Sequence, residues 1–335
     1  MTRSPEPVLV GQAAARRYPD FFIVGHAKSG TTALYEMLRG HPDIFMPAVK
    51  EPQFFARNPP LGEGEAPRPI FEQTGLRPET LEDYLALFAP ARADQLVGEG
   101  STFYLWSRRA PGRIAAAQPG ARIIAILREP ASFLRSLHLQ MIQNQVEPER
   151  DLRRALELED SRRHGRDIPP GANWPEALMY SERVRYVEQL RRYHAVFPRE
   201  QVLVLIYEEF RRDNEGTLRQ ILRFLDVEEN HVPEPVSANP TVAVRSARLD
   251  TMSRRLAGRG RLARVAQRLI RGLTSSRQRR AVLYPLRRRV VYADPPPVDE
   301  ALMAELRSRF RGEVLALGEY LGRDLVPLWG YDRVT

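Results

Sequence analysis

Residues 21–42 read FFIVGHAKSGTTALYEMLRGHP, an order that predicts a strand, a glycine-containing loop and a helix. The apolar run at residues 20–25 is typical of a buried strand, and apolar residues recur with helical spacing after Thr31. Backbone N–H groups at the start of such a helix are unpaired, and the helix dipole adds partial positive charge there. The stretch therefore predicts a loop that binds an anion.

The lysine of this loop is displaced from the position that it has in a nucleotide-binding P-loop. Gly25 and Gly30 keep the glycine spacing of GxxxxGKS/T, but in that motif the lysine follows the second glycine. Here Lys28 lies between the two glycines. The loop is therefore related to a P-loop in pattern, while its lysine points to a different anionic ligand.

Apolar strands alternate with helical patterns along the rest of the chain. Further strands are expected at residues 44–46, 96–99, 121–127 and 201–207, and helices at residues 78–90, 107–119, 131–143, 176–197 and 215–227. This alternation predicts an α/β protein with a P-loop-like, three-layer fold, in which helices cover both faces of a central parallel sheet. Ligands of such sheets bind at the carboxyl ends of the strands.

The chain is expected to form one domain over residues 1–335, with a core at about 20–235. Two appendages follow: an arginine-dense segment at about 245–290 and a C-terminal helix at about 298–322. The arginine-dense segment has leucine and valine at helical spacing, which favours an amphipathic helix with a solvated basic face. The alternative is a lid or an acceptor-binding surface.

Composition narrows the classes of function. The sequence has 335 residues, a net charge of +9 and no cysteine, which excludes disulfides, thiolate metal sites and cysteine nucleophiles. The positive charge favours an anionic partner without choosing among nucleotides, nucleic acids, acidic glycans and lipid headgroups. No apolar run reaches the length of a membrane span. We therefore expect a cytoplasmic protein.

Lysine is almost absent from the sequence. Of 51 basic residues only Lys28 and Lys50 are lysines. A coding bias towards arginine would explain the scarcity but not the two positions that remain. An ammonium is a compact charge whose pKa can move, whereas a guanidinium stays protonated. The two lysines are therefore candidate catalytic residues.

The strand at residues 121–127 is followed by Arg128, which bears on the choice of nucleotide chemistry. A magnesium-dependent P-loop enzyme needs a carboxylate after an apolar strand to hold the metal. An arginine there suits direct recognition of a second phosphate. Glu208 or Glu209, after the strand at 201–207, could still supply a metal ligand, so a metal site is disfavoured and remains open.

Four blocks of sequence carry a resemblance to a known family. HAKSGTTALY with HPDI after it, VKEPQFFA, GEGSTFYL and LREPASFLRS occur in order. Together they resemble the sulfotransferases that use 3′-phosphoadenosine 5′-phosphosulfate (PAPS), most of all the heparan sulfate N- and 3-O-sulfotransferase branch and its bacterial relatives. The match continues through LMYSERVRYVEQLRRYHAVFPREQVLVLIYEEF to GRDLVPLWG. It implies a single α/β domain that transfers a sulfuryl group without a metal.

The resemblance assigns the loop to the donor nucleotide. It implies that Lys28, Ser29, Gly30, Thr31 and Thr32 wrap the 5′-phosphosulfate. In the family the lysine of this loop meets the oxygen that bridges phosphate and sulfate. The displaced lysine would then lie where negative charge develops as the S–O bond breaks.

The 3′-phosphate site is implied by the block LREPASFLRS. Arg128 and Ser136 match the family residues that bind this phosphate. The block departs from the family pattern at Phe133, a position where the family often has an arginine. Arg135, two residues further on, is a candidate to replace that arginine, but its side chain leaves the helix in a different direction. Arg245 follows Asn239 in a segment where related enzymes carry a basic loop that closes over the nucleotide.

The resemblance also implies a catalytic base. Glu51 matches the glutamate that removes the acceptor proton, and Lys50 would orient this carboxylate or contact sulfate oxygens. The alternative for Glu51 is a surface glutamate paired with Lys50. Glu99 is the rival base, with an organising role expected for it at a strand end. His26 is expected to pack or hydrogen bond beside the strand, and Ser101 is a structural candidate.

Three functions remain to be compared. The first is sulfuryl transfer from PAPS to a hydroxyl or amine of a carbohydrate or other small-molecule acceptor by in-line displacement. The second is a P-loop kinase of a small molecule, which predicts dependence on Mg²⁺ and ATP. The third is binding of an anionic polymer through the arginine-dense segment, although no base-reading motif accompanies those arginines and nucleic acid is not expected. The sequence does not identify the acceptor.

Overall fold

A sheet of five parallel strands forms the centre of the protein. The computed structural model describes residues 17–56, 78–170, 172, 175–229, 243–244, 292–293 and 295–333. The strand order is β2-β3-β1-β4-β5, and every neighbouring pair is parallel. The strands are β1 (Phe21–Gly25), β2 (Ile44–Phe45), β3 (Leu96–Gly100), β4 (Arg122–Leu127) and β5 (Val202–Ile206). The predicted central parallel sheet is confirmed.

Helices cover both faces of this sheet. They are α1 (Thr31–Arg39), α2 (Leu81–Ala86), α3 (Ala110–Ala117), α4 (Pro130–Gln143), α5 (Leu152–Glu157), α6 (Glu159–Arg163), α7 (Tyr186–His194), α8 (Tyr207–Arg212), α9 (Asn214–Phe224), α10 (Glu300–Leu321) and α11 (Leu325–Leu328). Two further strands, β6 (Ala243–Val244) and β7 (Tyr292–Ala293), pair antiparallel. Within the described ranges, no helix combines the length and the apolar character needed to cross a bilayer.

The core lies in two layers, one on each face of the sheet. Every residue of β1 is buried, and successive side chains point to opposite faces. Phe22 and Val24 join a cluster that includes residues of α2, α3, α4, α7 and α10. Phe21 and Ile23 join a second cluster with residues of α1, α8 and α9. The three-layer fold is therefore confirmed, while the single domain over residues 1–335 stays a prediction.

The segment at residues 176–197 was expected to form one helix, and this prediction is wrong. Two 3₁₀ segments, Pro175–Leu178 and Tyr180–Val184, come first, and α7 follows. A 3₁₀ helix repeats every three residues, so Tyr180 and Arg183 lie on the same side, and both are fully buried. The tighter winding therefore places both side chains in the interior.

Other boundaries differ by smaller amounts. Tyr207 was expected to end a strand, but it begins α8. The helices α5 and α6 were not predicted. The predicted C-terminal helix corresponds to α10. Asp299 caps the start of this helix, and Gly322, with a left-handed φ of 64°, ends it. The arginine-dense segment at 245–290 lies outside the described residues.

The strand order places a crevice at the carboxyl ends of β1 and β4. The chain leaves β1 towards β2 on one side of the sheet, and it leaves β4 towards β5 on the other side. Loops that diverge in this way leave a gap between them, and this is where ligands bind in open α/β sheets. The loop after β1 and the residues after β4 therefore border one site.

Candidate active site

The loop after β1 delivers backbone amides to the start of α1. Gly30 precedes this helix with a φ of 83°, in the left-handed region that favours glycine. A Cβ atom at this position would lie 3.0 Å from a ring carbon of Phe210. Ser29 and Thr31 are buried beside it, and Thr32 completes the first turn. The N–H groups of a first helical turn have no acceptor within the helix itself, and helix starts are common positions for a bound anion.

Two cations meet at this loop. The Arg128 guanidinium donates from Nη1 to the backbone carbonyl oxygen of Lys28 over 2.7 Å. Burial, and then the charge of Arg128, lower the pKa of the Lys28 ammonium. Within the described ranges, neither cation forms an ion pair with a carboxylate. Arg128 interacts electrostatically with Glu208 without contacting it as an ion pair. Two neighbouring positive charges with no directly paired carboxylate favour binding of a ligand anion.

Arg128 is fixed on several sides. Its guanidinium stacks on the ring of Tyr207 at 4.8 Å, and its backbone carbonyl accepts a hydrogen bond from the Tyr186 hydroxyl over 2.9 Å. The buried Nε of Arg128 has no hydrogen-bond partner in the described part of the chain. Neither tyrosine was singled out from the sequence. Tyr207 stood in a predicted strand, and the contact of Tyr186 spans 58 residues of sequence.

The helix α4 carries the other residues of the predicted 3′-phosphate block. Ser136 is buried on this helix. Phe133, where the family often has arginine, packs its ring 4.8 Å from that of His26. Arg135 is directed elsewhere, because its guanidinium donates to the carbonyl oxygen of Pro296. Arg128 thus lies at the crevice, whereas Arg135 binds the segment before α10.

Glu51 lies at the carboxyl end of β3, next to the strand that leads into the loop. Its backbone N–H donates to the Gly100 carbonyl over 3.0 Å. The carboxylate accepts hydrogen bonds from Lys50 Nζ over 3.0 Å and from Thr102 Oγ1 over 3.3 Å. Gln53 Nε2 lies 3.5 Å from it. The predicted pair of Glu51 with Lys50 is present, and it orients a carboxylate that keeps 28% of its side-chain surface exposed.

Lys28 and Glu51 share a backbone feature. Their φ angles are 62° and 58°, in the left-handed region. Residues other than glycine adopt this conformation at a cost of about 1–2 kcal/mol, and such positions cluster at functional sites. The sequence does not reveal this feature. Both residues belong to the set that was predicted to be catalytic, and the same conformation occurs at Gln53, Gln145, Asp167 and Asp226.

Glu99 is enclosed and cannot contact an acceptor in this conformation. Its side chain has no exposed surface, and one carboxylate oxygen accepts hydrogen bonds from Tyr84 and Tyr104 over 2.8 and 2.9 Å. Burial is the main cause that raises the pKa of Glu99 to about 7. The geometry supports the organising role that was expected for this residue. Ser101 likewise organises the backbone, because its Oγ accepts from the Gln53 N–H over 3.0 Å.

His26 ties the loop to α7. Its Nε2 lies 2.7 Å from Gln189 Oε1, and Gln189 donates its two amide hydrogens to the carbonyls of Glu182 and Arg183. The Gln189 oxygen must therefore accept, so Nε2 of His26 carries the proton. Burial, followed by the charge of Arg183, lowers the pKa of His26 to about 3. A neutral, enclosed imidazole fits the structural role that was expected for it.

The carboxylates after β5 are held by other parts of the chain. Glu208 accepts a hydrogen bond from the Trp329 indole over 2.8 Å, and Glu209 forms an ion pair with Arg323. Across the described ranges, no group of three histidine, aspartate or glutamate side chains has the arrangement of a metal site. Asn239 and Arg245, predicted to close over the nucleotide, lie outside the described residues.

The arrangement defines a class: an α/β fold with an anion-binding loop after β1, two neighbouring cations at the crevice and, after the adjacent strand β3, an oriented carboxylate. The model of the sulfotransferase family matches residues 19–231, which include the whole of this site. The chain therefore belongs to the sulfotransferase family, and the predicted family is confirmed.

Individual relatives agree with this family. Mouse carbohydrate sulfotransferase 15 is 27% identical over 256 residues, covering 63% of this chain and 44% of its own length. Mouse heparan sulfate glucosamine 3-O-sulfotransferase 6 is 32% identical over 130 residues, covering 39% and 32%. The matched regions thus span less than half of either relative.

The fold is also shared with a solved bacterial structure. A sulfotransferase from Alicyclobacillus acidocaldarius has a TM-score of 0.61 and 26% sequence identity to this chain. The match covers 93% of this chain and 99% of that one. The described part of the chain therefore shares its fold with this bacterial sulfotransferase.

Proposed function

We propose that this protein transfers a sulfuryl group from PAPS to a hydroxyl or amine of a carbohydrate or other small-molecule acceptor. The observation that carries the proposal is the contact of the Arg128 guanidinium with the Lys28 carbonyl, which brings together two cations that form no direct ion pair among the described residues. The donor has anionic groups at its 5′ and 3′ ends, and two cations beside a helix start match that distribution. Membership of the sulfotransferase family supports the same reaction.

The loop residues hold the 5′ end in this mechanism. When bound, the donor supplies a sulfuryl group that is activated by its link to the 5′-phosphate. The amides at the start of α1 and the side chains of residues 28–32 bind the phosphosulfate. Lys28 stabilises the negative charge that develops on the bridging oxygen as the S–O bond breaks, which is a typical use of a preorganised donor. Arg128 and Ser136 bind the 3′-phosphate.

Glu51 acts on the acceptor. The acceptor oxygen or nitrogen forms a bond to sulfur on the side opposite the breaking S–O bond, and Glu51 takes the proton that the acceptor releases. Lys50 and Thr102 fix the carboxylate for this transfer. The contrast with Glu99 supports the assignment, because Glu51 keeps an exposed surface and Glu99 has none.

A carbohydrate is the acceptor class that the relatives favour. Both curated relatives carry names of carbohydrate-modifying sulfotransferases. We extend this class to the present chain as a proposal, together with the closing role of Arg245. A small-molecule kinase is not favoured by any contact in the site, since Glu208 and Glu209 are engaged by Trp329 and Arg323.

Nucleotide titration in the presence of a metal chelator tests the proposal. The protein should bind the desulfated product, 3′-phosphoadenosine 5′-phosphate, and should bind ATP much more weakly. Incubation with ³⁵S-labelled PAPS and candidate glycans should then give a labelled glycan. Tight ATP binding without preference for the 3′-phosphorylated nucleotide would overturn the proposal in favour of a kinase. Salt-sensitive polyanion binding that survives Lys28→Ala, without transfer, would favour the third function.

A further inference from the structure

The C-terminal segment after α11 contacts one acidic residue beyond each of the strands β4 and β5, namely Glu129 before α4 and Glu208 in the first turn of α8. The Tyr331 hydroxyl donates to Glu129 Oε1 over 2.8 Å. The Trp329 indole N–H donates to Glu208 Oε2 over 2.8 Å. Tyr331 has no exposed surface and Trp329 keeps 4%. The bond of Tyr331 is therefore buried and that of Trp329 is partly buried, so loss of either partner is costly.

Glu129 connects Tyr331 to the start of α4. Its carboxylate accepts from the backbone N–H groups of Ala131 and Ser132 over 2.9 and 2.7 Å, so it caps this helix. Arg307 of α10 lies 3.8 Å from the same carboxylate and offsets part of its buried charge. Hydrogen bonds through Glu129 therefore connect Tyr331 of the C-terminal segment to the start of α4.

Glu208 connects Trp329 to the peptide bond that follows Arg128. Its Oε1 accepts from the backbone N–H of Glu129 over 3.3 Å. The carbonyl oxygen of the same peptide bond is that of Arg128, which accepts from Tyr186. Both polar groups of this peptide are therefore held by side chains, the buried Tyr186 and the partly buried Glu208. This restricts the direction in which the Arg128 side chain leaves the backbone.

The geometry points to Trp329 and Tyr331 as positioning residues for the 3′-phosphate site. Trp329 acts through Glu208 on the peptide after Arg128, and Tyr331 acts through Glu129 on the helix that carries Ser136. The inference rests on the proposed function, because it takes Arg128 and Ser136 as the groups that bind the 3′-phosphate. Groups that are held in place before binding lose less conformational freedom when the ligand arrives, which strengthens binding of that one phosphate.

Comparison of two nucleotides isolates the effect. The protein and the variants Tyr331→Phe and Trp329→Phe are titrated with 3′-phosphoadenosine 5′-phosphate and with adenosine 5′-monophosphate, which lacks only the 3′-phosphate. Each variant should lower the affinity ratio of the two nucleotides by roughly threefold to tenfold, with little change for the monophosphate. A general loss of stability would weaken both nucleotides alike and leave the ratio unchanged.

Tyr320→Phe is the matched control. It removes a hydroxyl that lies 2.6 Å from Nδ1 of His194, at the end of α7, and that forms no described contact with Glu129 or Glu208. The control should keep the ratio of the original protein. If the original protein does not distinguish the nucleotides, the proposed 3′-phosphate site is wrong. If the original protein does distinguish them, but each variant that folds keeps the full affinity ratio, the positioning inference is wrong and the proposed function stands.

Discussion

The guanidinium of Arg128 donates a hydrogen bond to the backbone carbonyl oxygen of Lys28. The two residues are 100 positions apart in sequence, at the ends of the adjacent parallel strands β4 and β1. This contact joins the loop assigned to the 5′ end of the donor to the arginine assigned to its 3′ end. The two ends of the site are therefore in direct contact, and a substitution at one end is expected to alter nucleotide binding at the other.

Removal of the Lys28 ammonium tests its role at the bridging oxygen. Lys28→Ala should lower kcat by about 10²–10³-fold, because a preorganised donor to the developing charge is lost. The measurement is transfer of ³⁵S from PAPS at saturating acceptor. Arg39→Ala is the control, since Arg39 is an exposed cation at the far end of α1. An equal loss in both variants would contradict a specific role for Lys28.

Neutralisation of Glu51 tests the catalytic base. Glu51→Gln keeps the size of the side chain but cannot accept the acceptor proton, so kcat should fall by about 10²–10⁴-fold. The affinity for 3′-phosphoadenosine 5′-phosphate, measured by calorimetry, should stay within about twofold because the nucleotide contacts are intact. Normal turnover in Glu51→Gln together with loss in Glu99→Gln would move the base to Glu99.

The raised pKa of Glu99 predicts a pH-dependent stability. The folded value is about 7 and the ordinary value is 4.5, so the folded state binds more protons than the unfolded state between these pH values. Stability from this residue is therefore present below pH 4.5 and falls as the pH rises towards 7, by at most about 1.4 kcal/mol per pH unit. The pKa of His26 is lowered, which contributes a slope of the opposite sign between pH 3 and 6.5.

The two slopes are separated by comparing variants. The free energy of unfolding in urea is measured for the protein and for Glu99→Gln at several pH values. The variant lacks the ionisable group, so its stability relative to the original protein should rise between pH 4.5 and 7. A constant difference across this range would show that Glu99 ionises as an ordinary carboxyl group.

Two glycine-to-alanine substitutions test the backbone of the loop. Gly30→Ala places a Cβ atom in a left-handed conformation and 3.0 Å from Phe210, so it should destabilise the protein by about 1–3 kcal/mol. Gly112 lies in α3 with open space around it, and Gly112→Ala should stabilise the protein by about 0.5–1 kcal/mol. Urea unfolding of both variants is the measurement. Destabilisation of similar size at both positions would contradict the loop geometry.

The parts of the site that follow strands could be predicted from the sequence. The apolar run before Gly25 and the run before Arg128 identify buried parallel strands, and the carboxyl ends of such strands meet at one edge of the sheet. Lys28 and Arg128 therefore come together in the structure as the pattern indicated. The scarcity of lysine pointed to Lys28 and Lys50, and both occur in the site region, one beside Arg128 and one paired with Glu51.

The supporting contacts could not be predicted, because they join residues that are distant in sequence. The hydrogen bond from Trp329 to Glu208 spans 121 residues, and that from Tyr331 to Glu129 spans 202. A sequence pattern reports local periodicity, and it contains no signal for such pairs. The left-handed backbone of Glu51 was equally hidden, because glutamate has no preference for that conformation.

A crystal structure of the complex with 3′-phosphoadenosine 5′-phosphate tests the central claim most directly. The account predicts that Lys28 Nζ lies within hydrogen-bond distance of the 5′-phosphate and that the Arg128 guanidinium contacts the 3′-phosphate. A complex in which the Lys28 side chain points away from the 5′ end, and in which no guanidinium approaches the 3′ end, would contradict it.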